Sequence, residues 1–367
     1  VLAKHPGIAA AEAAVTAAAG MRRQAGIVDN PVLSWEREDP EAATRQDTWR
    51  VDWRLPLDGR KHRVAAGMAS LAASSSELEA ARLGIRIEMR SLFASWYLAT
   101  EREAVLVAQL ERTRELAEWL RARAEQGEAA GVEARRLELE LEVLEREAVA
   151  AGADARSARA AVASWSGLVT DEVRPVRPIL QPPPSTAEVS GRPDLAALSH
   201  RVAELEARYR LSKRILEPPG LSVGWMELGD GQQRFEGPVI GVAWPVPLFD
   251  RNQGNREAGK AGVDRARAEF ETARRYAAAQ ATAALAAYSD LYRDSGAEWR
   301  DGLDAEVAGA VFAAFEAGEA NLTDVLDALR STVDVQLSRL DTYSRALDAE
   351  RELEAALGGP ILPGGSS

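Results

Sequence analysis

The stretch Val51-Asp52-Trp53-Arg54-Leu55-Pro56-Leu57-Asp58-Gly59-Arg60-Lys61 returns later as Val242-Ala243-Trp244-Pro245-Val246-Pro247-Leu248-Phe249-Asp250-Arg251-Asn252, a shift of 191 residues. The same shift lays Tyr97 on Tyr288 and Gly127-Glu128 on Gly318-Glu319. One register therefore holds over a long part of each half, which chance likeness between Ala- and Glu-rich segments does not produce. A slightly shorter shift lays His5-Pro6-Gly7-Ile8 on Arg192-Pro193-Asp194-Leu195 and Asn30-Pro31 on Glu217-Pro218. The chain is a tandem duplication of one structural unit.

The repeated stretch straddles the end of a strand. In Trp49-Arg50-Val51-Asp52-Trp53-Arg54-Leu55 apolar and charged residues alternate with period two, so Trp49, Val51, Trp53 and Leu55 share one face and Arg50, Asp52 and Arg54 the other. Ile240, Val242, Trp244 and Val246 repeat the apolar face, and Leu221-Ser222-Val223-Gly224-Trp225 does so more weakly. Pro56, Pro245 and Pro247 close these strands, because proline has no N–H to give a ladder. Two readings are open for such strands: a small sheet lying on a helical core, or membrane strands with one face to lipid. No compact domain is evident for a sheet to cover, which favours the second.

Around the strands the sequence is helical. Only 6% of residues are aromatic, and Ala, Glu, Arg and Leu dominate, the profile of long helices. From about residue 60 to 126, Leu71, Leu78, Ile85, Leu92, Ala99, Leu106 and Leu120 keep a stride of seven, with Thr113 as the polar interruption, and mark a coiled-coil seam. A second helix from about 132 to 167 carries Leu137, Leu141, Leu144, Ala148, Ala151, Ala155, Ala158, Val162 and Trp165 on steps of four and three. The second half predicts one helix over about 252–317, a turn at Gly318, then Leu322, Leu326, Leu329, Val333, Leu340, Tyr343 and Leu347 on the same steps. An earlier helix over 6–27 stops before Pro31. Each half thus reads helix, two strands, long helix, tight turn, helix. The two shorter helices together nearly match the long one at 1.5 Å per residue, so they are expected to stack end to end beside it. Such a pair of rods cannot bury its own apolar surface and needs lateral neighbours. The expected organisation is a first structural repeat over 1–174, a Pro-rich equatorial linker over 175–191, a second repeat over 192–358 and a flexible tail over 359–367.

Charge and composition exclude several functions. The formal net charge is −12 with basic residues interspersed among acidic ones, and no basic patch stands out, which argues against a nucleic-acid partner. Cysteine is absent, which removes disulfides, thiolate metal sites and a cysteine nucleophile. His5, His62 and His200 are scattered, as are the four methionines, so no metal site or cofactor is expected. No Ser-His-Asp grouping, phosphate loop or dinucleotide fingerprint occurs, and no enzymatic activity is expected. No run of about 18 apolar residues is present to form a membrane-spanning helix. The sequence as it stands shows no signal peptide either.

At this point the chain resembles the TolC-like outer-membrane efflux ducts over essentially its whole length. The resemblance rests on the tandem layout, on Val-Ala-Trp-Pro-Val-Pro-Leu-Phe-Asp-Arg-Asn-Gln-Gly at 242–254, and on Gly318-Glu319-Ala320-Asn321-Leu322-Thr323-Asp324-Val325-Leu326-Asp327-Ala328. The Pro-Leu-Phe-Asp-Arg-Asn-Gln-Gly run is most similar to the branch serving heavy-metal cation pumps of the resistance-nodulation-division type. The resemblance implies a mainly α fold with a small β part. In such homotrimers long coiled-coil helices form a periplasmic α-barrel, and each protomer gives four strands to a 12-stranded β-barrel in the outer membrane. It implies a passive exit duct that docks a periplasmic adaptor and an inner-membrane pump. On that reading Trp49, Val51, Trp53, Ile240, Val242 and Trp244 face lipid, and Arg50, Asp52 and Arg54 face the lumen. Asp324 and Asp327 ring the closed periplasmic end of the pore, while the turns at Gly127-Glu128 and Gly318-Glu319 form the tips that meet the adaptor. Asp324 and Asp327 also have a plainer explanation as first-turn acids complementing a helix N-terminus, and Glu133 with Arg135 and Arg136 is expected to pair between helices or protomers. The chain lacks the lipidated cysteine that many relatives carry, so anchoring is expected to rest on the barrel. The rival from a different class is a soluble elongated coiled-coil scaffold whose strands form an assembly tip.

Overall fold

The computed structural model describes residues 5–39, 45–54, 59–125, 131–167, 174–189, 191–214, 218–229, 233–295 and 303–361. Each half of the chain starts alike. Helix α1 (Pro6–Ala25), strands β1 (Val32–Glu38) and β2 (Arg45–Arg54), and the 66-residue helix α2 (Arg60–Glu125) are answered by α4 (Pro193–Ser212), β3 (Gly220–Gly229), β4 (Arg234–Ala243) and α5 (Gln253–Ser295). The first half closes with α3 (Gly131–Ser166), the second with α6 (Leu303–Glu316) and α7 (Leu322–Leu357). The single helix expected over 252–317 is thus carried by α5 and α6, and residues 296–302 lie outside the described residues.

The chain divides into two compact units. One comprises residues 9–80 and 193–275, the other 1–8, 81–192 and 276–367. In the first, the four strands form one antiparallel sheet in the order β1-β2-β3-β4, so the two repeats meet along β2 and β3. Gly224 is required at that seam: a Cβ there would stand 2.3 Å from the Trp49 carbonyl oxygen. Helix α1 approaches α2 closely over Gly67, where a Cβ would come within 3.0 Å of the Arg22 Cα.

The second unit has no single centre. Its core is a series of clusters strung along the helices, as heptad seams produce. Leu116, Leu120 and Leu137 pack with Leu322, Val325, Leu326 and Leu329. Leu106 and Leu110 meet Leu144, Ala148 and Ala151, and Ala94 meets Tyr343 and Leu347. Ile85 and Thr113 are both buried, the latter satisfied by donating its hydroxyl to the Gln109 carbonyl at 2.9 Å. The Pro-rich segment is pinned to this unit by polar contacts. The Tyr343 hydroxyl donates to the Pro178 carbonyl, the Tyr288 hydroxyl to the Gln181 carbonyl, and the Gln181 N–H donates to Glu350 Oε1 at 2.8 Å. Arg90 pairs with both buried carboxylates of Glu350 and Glu354. Burial raises the Glu350 carboxyl above its ordinary range, only partly offset by the Gln181 N–H and Arg90.

Candidate functional site

The antiparallel register assembles the two faces of the sheet row by row. Residues opposite one another point the same way, so Trp35, Trp49, Trp225 and Pro238 form one row, and Leu33, Val51, Val223 and Ile240 the next. Trp53, Leu221 and Val242 complete a third, and Trp244 follows two residues beyond. This face spans about 20 Å along the strand at 3.3 Å per residue. It holds all six residues that the sequence predicts as lipid-facing. Leu33, Trp35 and Trp225 belong to it as well, although sequence reasoning did not single them out for lipid contact; the alternation in Leu33-Ser34-Trp35-Glu36 carries the signal.

The opposite face carries Ser34, Arg50, Gly224 and Val239 in one row and Val32, Asp52, Ser222 and Gly241 in the next. Its exposure is the reverse of what water imposes. Thr48 on this side is 6% exposed, whereas its neighbour Trp49 is 51% exposed and Ile240 reaches 74%. Large apolar side chains are turned outward and the middle of the polar side is the more enclosed, although Val32 and Phe235 on that side are exposed as well. The apolar rows end abruptly at a charged row, Arg37, Asp47, Glu227 and Glu236, in which Arg37 Nε donates to Asp47 Oδ1 at 2.7 Å. At the other end of the apolar face, the Trp53 indole N–H donates to the Asp29 carbonyl at 3.2 Å, tying the last row to the segment between α1 and β1.

The second predicted site lies at the start of α7, in the other unit. Helix α6 ends in a reversal in which Gly318 takes φ 79°, a left-handed conformation that favours glycine, and the Glu319 N–H donates to the Ala314 carbonyl at 2.8 Å. Asn321 then caps α7. Its side-chain oxygen accepts from the N–H groups of Thr323 and Asp324 at 2.9 and 3.1 Å, and Asp324 Oδ2 accepts from the Asn321 N–H at 2.9 Å. This is a reciprocal capping box, so one oxygen of Asp324 is committed to starting the helix. Asp327 is exposed one turn on, and its charge helps hold Arg330 protonated, behind the larger effect of the bond to Glu140. Arg330 binds Glu140 of α3 through two hydrogen bonds, the Nε–Oε1 contact being 3.0 Å. Arg136 Nη1 donates to Thr323 Oγ1 at 3.1 Å. The first helical turns of α3 and α7 are therefore cross-linked by polar contacts that the sequence places only as a general expectation of pairing. Gly127 and Glu128, the predicted tip of the first repeat, lie outside the described residues. Among the described residues no group of three or more His, Asp or Glu is arranged to hold a metal ion.

No protein-family model matches the chain. It is 27% identical to the cobalt-zinc-cadmium resistance protein CzcC of Cupriavidus metallidurans over 91% of its own length and 82% of that protein. Among solved structures it superposes on CusC with a TM-score of 0.80 at 16% identity, covering 98% of this chain and 90% of that one. On the outer membrane protein VceC of Vibrio cholerae the TM-score is 0.77 at 18% identity, covering 98% and 95%. The duplicated fold, the reversed sheet faces and these likenesses agree: the chain has the fold of CusC and of the outer membrane protein VceC, is similar in sequence to a metal-resistance protein, and resembles the TolC-like outer-membrane efflux ducts.

Proposed function

We propose that the protein is the outer-membrane exit duct of a tripartite efflux pump, passively conducting substrates, metal cations foremost, from an inner-membrane pump and a periplasmic adaptor. The observation that carries this reading is the reversed exposure of the sheet, with tryptophans and branched aliphatics outward and Thr48, Arg50 and Asp52 on the sheltered side. A soluble scaffold would turn that apolar face inward. Lipid accepts it as it stands. No described helix is long and apolar enough to cross a membrane, which leaves the strands as the membrane element.

An open four-stranded sheet has two edges, β1 and β4, whose free N–H and C=O groups hydrocarbon does not tolerate. Three copies of four strands close a 12-stranded barrel and remove both edges. The same assembly supplies neighbours for Val132, Leu139, Val143 and Val149, apolar residues of α3 that are exposed in one copy. In this arrangement the repeats 1–174 and 192–358 give the helical duct below the membrane, and the segment 175–191 forms its equator. Gly127, Glu128, Gly318 and Glu319 are the tips that contact the adaptor. Asp324 and Asp327 are the acids of the closed end, Asp327 with its carboxylate free of the cap and Asp324 sharing its own with Asn321. Grouped carboxylates there favour cations in the pore. The proposed substrate class follows from the pore acids and from the likeness to a metal-resistance protein.

Purified protein should partition into detergent, run as a heat-resistant trimer and conduct ions in planar bilayers. Asp324→Asn with Asp327→Asn should then lower cation selectivity and weaken block by multivalent cations at low salt, where screening is least. A monodisperse protein in detergent-free water that shows no conductance would overturn the duct, whereas a conducting double variant with unchanged selectivity would overturn only the gate.

A further inference from the structure

The acidic chain carries a basic collar that no single segment reveals. Four stretches, 20–30, 54–64, 208–217 and 250–260, hold thirteen lysines and arginines against five acidic residues, although the whole chain is −12. They are the ends of α1 and α4 and the starts of α2 and α5, and the structure brings all four together in one unit. Arg60 Nε donates to the Gly26 carbonyl at 2.8 Å, joining the start of α2 to the end of α1. A Cβ on Gly59 would touch Leu211 and Arg214 at 2.9 and 3.0 Å, which sets the start of α2 against the end of α4. Asn252 Nδ2 donates to the Ser212 carbonyl at 2.8 Å, joining the end of α4 to the start of α5.

The collar is open to solvent and only in part neutralised. Arg208 and Arg210 pair with Glu204 and Glu206. Lys61, Arg251, Arg256 and Lys260 are exposed and make no ion pair with a described residue. The field is felt locally: beside burial, Lys61, Arg214 and Arg210 hold the His62 imidazole below its ordinary value. The collar also lies directly under the apolar face, because the last row of the sheet is tied to Asp29, and the chain from Trp244 to Phe249 stays exposed until it reaches Asp250 and Arg251. A cleft lined by Val246, Leu248 and Phe249 together with Arg214, Asp250 and Asn252 combines a guanidinium and one carboxylate with apolar walls. Cations placed beside large apolar side chains at the edge of a hydrocarbon-facing surface match the phosphate and the first methylenes of a phospholipid.

We infer that this collar binds the anionic headgroups of the phospholipid leaflet next to the helices, fixing how deep the barrel sits. The inference rests on the proposal that the apolar sheet face meets lipid. Its test is reconstitution of the full chain into vesicles of phosphatidylcholine with about a third phosphatidylglycerol, followed by gentle extraction and measurement of the lipid that stays bound. Phosphatidylglycerol should be enriched several-fold at low salt and lose that advantage as salt rises. Replacing Lys61, Arg251, Arg256 and Lys260 together by Gln should lower the enrichment about tenfold, and the charge-preserving set Lys61→Arg, Arg251→Lys, Arg256→Lys and Lys260→Arg should restore it. Inorganic phosphate should compete no better than chloride at equal ionic strength. Equal retention of both lipids, an unaffected Gln variant, or specific displacement by inorganic phosphate would each overturn the collar while leaving the duct intact. Failure to enter vesicles of either composition would instead overturn the duct reading and the collar with it.

Discussion

Strands β2 and β4 are equivalent in the two repeats, and they agree on one face only. Trp49, Val51 and Trp53 answer to Ile240, Val242 and Trp244, all large and apolar, whereas Arg50, Asp52 and Arg54 answer to Gly241, Ala243 and Pro245. Duplication began with two like strands, so the face that stayed alike is the face under a shared constraint, and the other was free to diverge. A lipid environment explains the pattern, since every strand of a barrel touches hydrocarbon on its outside. The inside is a common space in which one hairpin supplies charge and the other supplies room. Gly224 and Gly241 also let neighbouring groups come close: a Cβ on Gly241 would sit 2.4 Å from Ser222 Oγ.

This comparison breaks most readily at its shared face. Val51→Arg and Ile240→Arg should each cost about 2 to 4 kcal/mol in vesicle-based unfolding, alike in both repeats because the two residues lie in one row. A repeat that tolerated the change would not face lipid. Asp52→Asn, on the other face, should leave stability within about 0.5 kcal/mol and alter conductance instead. A smaller loss is expected at the seam. Gly224→Ala forces its new carbon against the Trp49 carbonyl, which is backbone and cannot swing aside, and should cost about 1 to 3 kcal/mol. Heat resistance of the assembled protein measures it, and a neutral result would show that β2 and β3 part more easily than their register implies.

The smallest expected effect is a pH dependence confined to the first repeat. His62 answers to Gln253 under the same shift. Burial and the surrounding cations depress the folded-state value of His62, so the neutral imidazole favours the fold. That contribution is present above the unfolded value, near 6.5, and is lost as pH falls through the depressed folded value. His62→Gln should flatten stability over that acidic window and change little at pH 8. An unchanged slope would mean that the collar's field does not reach the ring.

How much of this was legible beforehand depends on the length scale of each signal. The strand faces, the seam residues Leu78, Ile85, Leu106 and Leu120, and the α6–α7 turn were legible because each rests on a short period or a local motif. The part of Asp324 in capping α7 follows equally from Asn321 three residues earlier. The pairing of Arg330 with Glu140 was not, because it joins helices 190 residues apart, and charged residues at every surface position hide the one that matters. The basic collar escaped for the same reason. Read in order, its residues are interspersed with acids, and only the convergence of four helix ends separates them.

The central claim is that the apolar side of this sheet meets lipid and the polar side water. The chain has no cysteine, so spin labels attach singly after Val51→Cys, Ile240→Cys, Asp52→Cys or Ser222→Cys without further engineering. In reconstituted vesicles, labels at 51 and 240 should collide with dissolved oxygen and hardly at all with a water-soluble nickel chelate, and labels at 52 and 222 should do the reverse. Equal access of the nickel chelate to all four positions would contradict the account.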